Sequence, residues 1–181
     1  MTPKPSKLKN RSPQNLVNQQ LVDEALGLGC TKAKVILTRT IAVGAWVKLK
    51  CQFGCPHYGK LLTCPPCSPT SDETSEILAD YQKALLIHAD SEIDMRGVAV
   101  ELEGSLKEKG FIKAFGICAE PCDLCEVCTI EQGCKYPDKA RPTMQACGIN
   151  INQTVSNNGW EDMGPVEPCS ADKNIGMVLI D

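Results

Sequence analysis

Residues 84–117 read ALLIHADSEIDMRGVAVELEGSLKEKGFIKAFGI and predict a strand, a helix and a second strand in that order. The short apolar run Ala84–His88 indicates a buried strand. Ser91–Lys109 begins with a helix-capping residue and ends at Gly110, which is typical of a helix. Its apolar residues with helical spacing are Met95, Val98, Ala99, Leu102 and Leu106. Phe111–Ile117 is the next predicted strand, and it leads directly to Cys118.

Similar patterns place further elements on both sides of this unit. Apolar periodicity predicts helices over Asn15–Gly29, Ser71–Tyr81 and Ile151–Asn158, and another that begins within Arg141–Cys147. Runs of β-branched and apolar residues predict strands over Lys34–Val47 and Ile175–Ile180. This alternation favours an α/β fold, a single compact domain in which helices pack on a small sheet that carries two cysteine-rich metal-binding loops. Each of these loops is expected to follow a strand.

Length and charge restrict the class of protein. Residues 1–13 contain Lys, Arg, Pro and Ser with almost nothing apolar, which predicts a disordered basic tail before one α/β metal-binding domain over residues 14–181. No apolar run approaches the roughly 18 residues of a membrane span, so we expect no membrane insertion. The net charge is −3, and residues 1–13 contribute +4, so the remainder carries −7. That excess of negative charge argues against nucleic acid as a partner.

Cysteine is the unusual component, with 12 residues against two histidines. The first 13 residues lack the apolar segment of a secretory signal, so we expect a reducing, cytoplasmic compartment. In such a compartment closely spaced cysteines are more often metal ligands than disulfide partners. The sequence therefore predicts one or more thiolate metal sites.

The second cysteine group holds the clearest metal-binding pattern. Cys122, Cys125 and Cys128 follow a Cys-x-x-Cys-x-x-Cys spacing, and Cys134 comes six residues later. Three thiolates this close together are typical of ligands to a [4Fe-4S] cluster, as in bacterial ferredoxins. Structural zinc usually takes paired Cys-x-x-Cys turns, so zinc and metal-free thiols are the weaker alternatives. Cys134 is the first candidate for the fourth ligand, and the rivals are Cys118 and Cys147.

The first cysteine group lies in CQFGCPHYGKLLTCPPCSPT, residues 51–70. Its candidate ligands are Cys51, Cys55, Cys64 and Cys67. Four sulfur atoms on one loop suit a second [4Fe-4S] cluster or one zinc ion, and the spacing follows neither pattern strictly. Arg141 lies in the sequence between the second cysteine group and the last predicted strand. We expect it either near the second group, where its positive charge would offset the negative charge of a cluster, or in solvent.

The segments 51–70 and 122–151, the latter with KARPTMQACGI at residues 139–149, resemble the signatures of the predicted metal-binding family called domain of unknown function 2284. The likeness runs from about Val35 onward. It implies metal binding, with iron-sulfur as the expected kind, and it implies no particular reaction. The ligands implied are Cys51, Cys55, Cys64, Cys122, Cys125, Cys128 and Cys134. The family pattern has an aromatic residue in place of Cys67, which implies that Cys67 is not an essential ligand.

Three functions follow as hypotheses. The first is an iron-sulfur protein with one or two [4Fe-4S] clusters that transfers electrons to or within a partner enzyme, so a redox partner protein is expected. The second is a zinc-binding structural or interaction module. The third is a small iron-sulfur enzyme with an open iron site, which follows if Cys67 is not a ligand. A radical S-adenosylmethionine enzyme is disfavoured, because Leu124 stands where that pattern places an aromatic residue and the chain is too short for its barrel.

Overall fold

The structure, a computed structural model, describes residues 13–161 and 174–181. Its helices are α1 (Pro13–Gly27), α2 (Val47–Gly54), α3 (Ser71–Ala79), α4 (Met95–Glu108) and α5 (Ile151–Asn157). Its strands are β1 (Lys32–Leu37), β2 (Lys83–Ala89), β3 (Phe115–Ile117) and β4 (Asn174–Leu179). The predicted tail lies outside the described residues except for Pro13, which begins α1, and Cys169 also lies outside them.

The four strands form one antiparallel sheet in the order β1-β2-β4-β3. Strand β2 pairs with β1 through Lys32 and His88 at one end, and with β4 through Ala84 and Leu179 at the other. Every residue of β4 is buried, and most of β2 is too. The apolar run recognised in the sequence is therefore an inner strand with both faces covered.

Helices cover both faces of this sheet, so the predicted α/β arrangement is confirmed. On one face α1 and α4 pack against Leu85, Ile87 and Val178. On the other face Leu86, Ile175 and Met177 pack against side chains of α3, α5 and the 141–150 segment. Successive strand residues thus point into two different cores, as the two-residue period of a strand requires.

Helix α4 confirms a helix within Ser91–Lys109, but it begins at Met95 because Asp94 and not Ser91 is its N-cap. Asp94 caps its first turn by accepting a hydrogen bond from the Gly97 N–H at 3.0 Å. Its buried stripe includes all five apolar positions predicted from the sequence. Helix α3 starts in the same way, with a capping box between Thr70 and Glu73.

Three predicted elements were wrong or too long. The strand predicted over Lys34–Val47 ends at Leu37, because a 3-10 turn follows at Thr38–Thr40 and α2 begins at Val47. Of Phe111–Ile117, only β3 is a strand. Arg141–Cys147 forms no helix, since residues 143–149 make a turn in which Thr143 Oγ1 accepts from the Ala146 N–H at 3.0 Å.

These corrections change the setting of the first cysteine group. Cys51 lies inside α2, so this group follows a helix and not a strand. The second group does follow a strand, as predicted, because Cys118 comes directly after β3. Among the described residues, no helix combines the length and the apolar character needed to cross a membrane.

Candidate metal centre

The second cysteine group lies on a long loop between β3 and Arg141. Its regular structure is limited, within the described residues, to a 3-10 turn at Ile130–Gln132. Cys122, Cys125 and Cys128 are half-buried, and Cys134 is exposed. All four side chains line one small cavity. The sequence pattern therefore folds into a shared pocket, and the fourth thiol in it belongs to Cys134.

The first cysteine loop contributes to this pocket. Leu61 and Leu62 line it together with the four cysteines. The Leu62 N–H donates to the sulfur atom of Cys128, with nitrogen and sulfur 3.5 Å apart. Backbone N–H groups directed at cysteine sulfur stabilise negative charge on that sulfur. The two groups, far apart in the sequence, thus build one continuous region of thiols.

Two of the four cysteines in the first group are buried. Cys51 and Cys64 are buried and Cys55 is half-buried at the end of α2, where its N–H donates to the Cys51 carbonyl at 3.2 Å. The pKa of Cys64 is raised to about 11, mainly by burial and in smaller part by the neighbouring Cys55 and Cys51 thiols. Cys122 of the second group acts on Cys64 in the same direction. The two predicted sites are therefore neighbours.

Cys67 occupies a different environment. It is exposed, one turn beyond Cys64, whose carbonyl accepts from the Cys67 N–H at 3.0 Å. Its side chain borders a largely apolar cavity of about 540 Å³ between the two cysteine loops, α3 and β3. Cys134 and Cys147 border the same cavity.

Cys118 is placed as a structural thiol. It is fully buried, and its S–H lies within donating distance of the carbonyls of Glu120, Arg141 and Pro142, at 3.4, 3.7 and 3.5 Å. Burial raises its pKa to about 12. These carbonyls give the S–H its hydrogen-bond partners, and Cys118 does not line the pocket shared by the four thiols of the second group.

Comparison with known proteins assigns the family. Residues 34–180 match the family model described as predicted metal-binding protein (DUF2284). The chain belongs to this DUF2284 family. Neither the curated proteins nor the solved structures include a match to it. Family membership agrees with the resemblance found in the two cysteine segments, and it supports metal binding without specifying the metal.

The donor set of this DUF2284 protein suits a thiophilic metal. Thiolates are the ligands of iron-sulfur clusters and of many zinc sites. In residues 13–161 and 174–181, no three His, Cys, Asp or Glu side chains are arranged so that they could hold a metal ion as they stand. The chemistry of the donors fits an iron-sulfur cluster or zinc, and the pocket lined by Cys122, Cys125, Cys128 and Cys134 is where such a group would be held.

The sequence did not predict the positions of two arginines near the second group. Arg96 of α4 forms an ion pair with Asp123 at 2.6 Å. Burial raises the pKa of Cys122, while the Leu124 N–H and the charge of Arg96 lower it. Arg141 is neither solvated nor directed at the thiols, because it is buried against Glu103. The position of Arg96 near Cys122 could not be predicted from the sequence, since it depends on how α4 packs.

Proposed function

We propose that this DUF2284 protein binds a [4Fe-4S] cluster through Cys122, Cys125, Cys128 and Cys134, binds a second cluster at the first cysteine group, and transfers electrons to or within a partner enzyme. The observation that carries this proposal is the single pocket lined by four thiols, one of which accepts a backbone N–H from the other loop. A bound cluster would supply one-electron chemistry. The cysteine content supports a reducing, cytoplasmic compartment.

The chain's own residues would bind and tune the clusters. The four thiols supply the bonds to iron, and the Leu62 N–H stabilises charge on the Cys128 sulfur. Leu61 and Leu62 cover the pocket and limit the access of water. Because the Leu62 N–H of the first loop contacts the Cys128 sulfur, two clusters held here would be neighbours, and an electron could pass between them.

Anaerobic purification tests the proposal directly. We expect a brown protein with broad visible absorption that bleaches on reduction, and with iron and inorganic sulfide in equal amounts. Zinc has no such absorption, since its d shell is full. A colourless protein that contains stoichiometric zinc would instead establish the zinc-binding module and exclude electron transfer.

The redox partner is proposed to dock on the outer face of α2. Trp46, Leu49 and Phe53 lie three and four residues apart and are 51%, 54% and 80% exposed. Cys51 lies buried on the same helix. Residues 25–71 contain no Asp or Glu, and their basic residues are Lys32, Lys34, Arg39, Lys48, Lys50 and Lys60. An apolar stripe within a basic segment suits an acidic electron-carrier protein.

Stopped-flow reduction by an acidic [2Fe-2S] ferredoxin tests this docking face. Phe53→Glu should slow the reduction, and added salt should slow the wild-type reaction, because opposite charges steer the encounter. Ile112→Glu is the matched control, since Ile112 is 83% exposed just beyond α4. Equal rates for the two variants would place the partner elsewhere.

One observation favours a second function, the small iron-sulfur enzyme with an open iron site. The cavity of about 540 Å³ has the size of a small-molecule site and borders the exposed thiols of Cys67 and Cys134. Addition of cyanide to the reduced protein tests it. A change in the electron paramagnetic resonance spectrum would indicate an iron with an exchangeable ligand, and an unchanged spectrum would indicate closed clusters.

A further inference from the structure

We propose that Cys147 is the fourth thiolate of the first metal site, together with Cys51, Cys55 and Cys64, and that Cys67 lies outside that site. This inference rests on the proposed function, and it names the ligands of one of its two centres. Spacing alone makes Cys67 the nearer candidate, because it is only three residues from Cys64 whereas Cys147 is more than 80 residues away, but the family resemblance already implies that Cys67 is not an essential ligand.

The turn over residues 143–149 is fastened against the first cysteine loop. The Ser68 hydroxyl donates to the Ala146 carbonyl at 2.7 Å. The Cys51 thiol faces the Gln145 carbonyl, with sulfur and oxygen 4.0 Å apart. Both contacts are buried. The residues immediately before Cys147 are thus in direct contact with residues of the first group.

The other end of the turn is tied to the segment that leads into α2. The Gly44 N–H donates to the Gly148 carbonyl at 2.9 Å, and Val43 forms an antiparallel bridge with Ile149. Gly148 has a φ of +75°, and a Cβ atom there would collide with the Ser71 side chain. The turn needs glycine at this point, and its fixed conformation holds Cys147 in place.

Cys147 is as deeply buried as the two buried thiols of the first group. Cys147, Cys51 and Cys64 are each at most 5% exposed. The pKa of Cys147 is raised to about 12, mainly by burial, with the nearby Lys48 ammonium lowering it and Cys64 raising it. Lys48 acts on Cys51 as well. One ammonium group is therefore close to two of the proposed ligands and would stabilise their thiolate forms.

A buried thiol of this kind gains from a metal. Without metal Cys147 holds its proton, because a bare thiolate would be costly in the protein interior. When iron or zinc binds, the S–H bond breaks, a metal–sulfur bond forms and the proton leaves to solvent.

Metal content after anaerobic reconstitution with ferrous iron and sulfide tests the proposal in the full chain. Cys147→Ala should lose about half of the wild-type iron and sulfide, whereas Cys67→Ala should keep all of it. Cys118→Ala is the matched control, because Cys118 is also a buried thiol with a pKa of about 12. It should keep full metal, so that a packing defect alone is not mistaken for a lost ligand.

The opposite pattern overturns the proposal: full iron in Cys147→Ala, or half the iron in Cys67→Ala. If circular dichroism shows that Cys147→Ala does not fold, the nearly isosteric Cys147→Ser replaces it and decides in the same way. A second readout needs no variant, because iodoacetamide should label Cys67 in the loaded protein without release of iron, and release of iron would contradict the proposal. Failure of the proposed function is distinct, since it appears as a wild-type protein that takes up no iron and sulfide.

Discussion

Arg141 and Glu103 form a two-point ion pair in the protein interior. Nε donates to Oε2 at 2.7 Å and Nη2 to Oε1 at 2.8 Å, and the two side chains are 6% and 3% exposed. The same guanidinium donates to the carbonyls of Pro137, Asp138 and Ala140. It also lies 4.9 Å from the centre of the Phe115 ring. The end of the second cysteine loop is thereby fastened to α4.

Arg141→Ala should therefore destabilise the protein strongly. The substitution leaves the buried Glu103 carboxylate without its main partner and removes the donor to three loop carbonyls. The free energy of unfolding should therefore fall by about 3–5 kcal/mol. Urea unfolding followed by circular dichroism measures the change. Arg39→Ala is the control, since Arg39 is exposed and its loss should cost less than about 0.5 kcal/mol. Similar stability of the two variants would show that the loop is held by other contacts.

Glu103 also makes stability depend on pH. Burial alone would raise the pKa of Glu103, but hydrogen bonds from Arg141, Lys107 and the Gly116 N–H outweigh it and lower that pKa. A carboxyl whose pKa is lower in the folded state stabilises the fold above its unfolded pKa of about 4.3 and loses this effect as the pH falls through the folded pKa. The melting temperature of the wild type should fall steeply below about pH 4.3. The melting temperature of Glu103→Gln should be lower than that of the wild type at neutral pH and should fall less as the pH is lowered. Parallel curves for the two proteins would contradict this role.

The part of the fold that the sequence predicted depends on local signals. Helix α4 and all of strand β2 except Lys83 lie within 84–117, where apolar spacing predicts both elements locally, although the cap is Asp94 and not the predicted Ser91. The turn over residues 143–149 could not be predicted, since it is held by partners such as Ser68 and Gly44 that lie far away in the sequence. The strand predicted over Lys34–Val47 extends too far because β-branched residues continue through the 3-10 turn.

The candidate site also has a part that could be predicted from the sequence and a part that could not. Cys122, Cys125 and Cys128 could be grouped from the sequence, because three residues of separation already bring their side chains near one another. The contact of Leu62 with Cys128 could not, since it joins residues 66 positions apart. The placement of Arg96 beside Asp123 likewise depends on how α4 packs against the sheet.

Each of Cys122→Ser, Cys125→Ser and Cys128→Ser should lose the cluster of the second group. Their thiols line one pocket, and the bonds to metal contribute folding free energy that the remaining ligands cannot replace. Iron and sulfide analysis of anaerobically purified protein measures the loss. Cys30→Ser is the control, because Cys30 is also a buried thiol and does not line the pocket. Full iron in any of the three variants would show that the pocket is not the cluster site.

Arg96 should set the reduction potential of the second cluster. A cluster gains one negative charge on reduction, and the guanidinium of Arg96, close to Cys122, stabilises that reduced state. Arg96→Gln should therefore lower the potential, whereas Asp123→Asn, which removes the opposing carboxylate at 2.6 Å, should raise it. The effect of Asp123→Asn should be the smaller, because the Asp123 side chain is 79% exposed and water and salt screen its charge. Redox titration followed by visible absorbance measures both shifts, with Arg39→Gln as the control for a distant exposed arginine. Shifts of the same sign in Arg96→Gln and Asp123→Asn would mean that the variants act through a change in structure and not through charge.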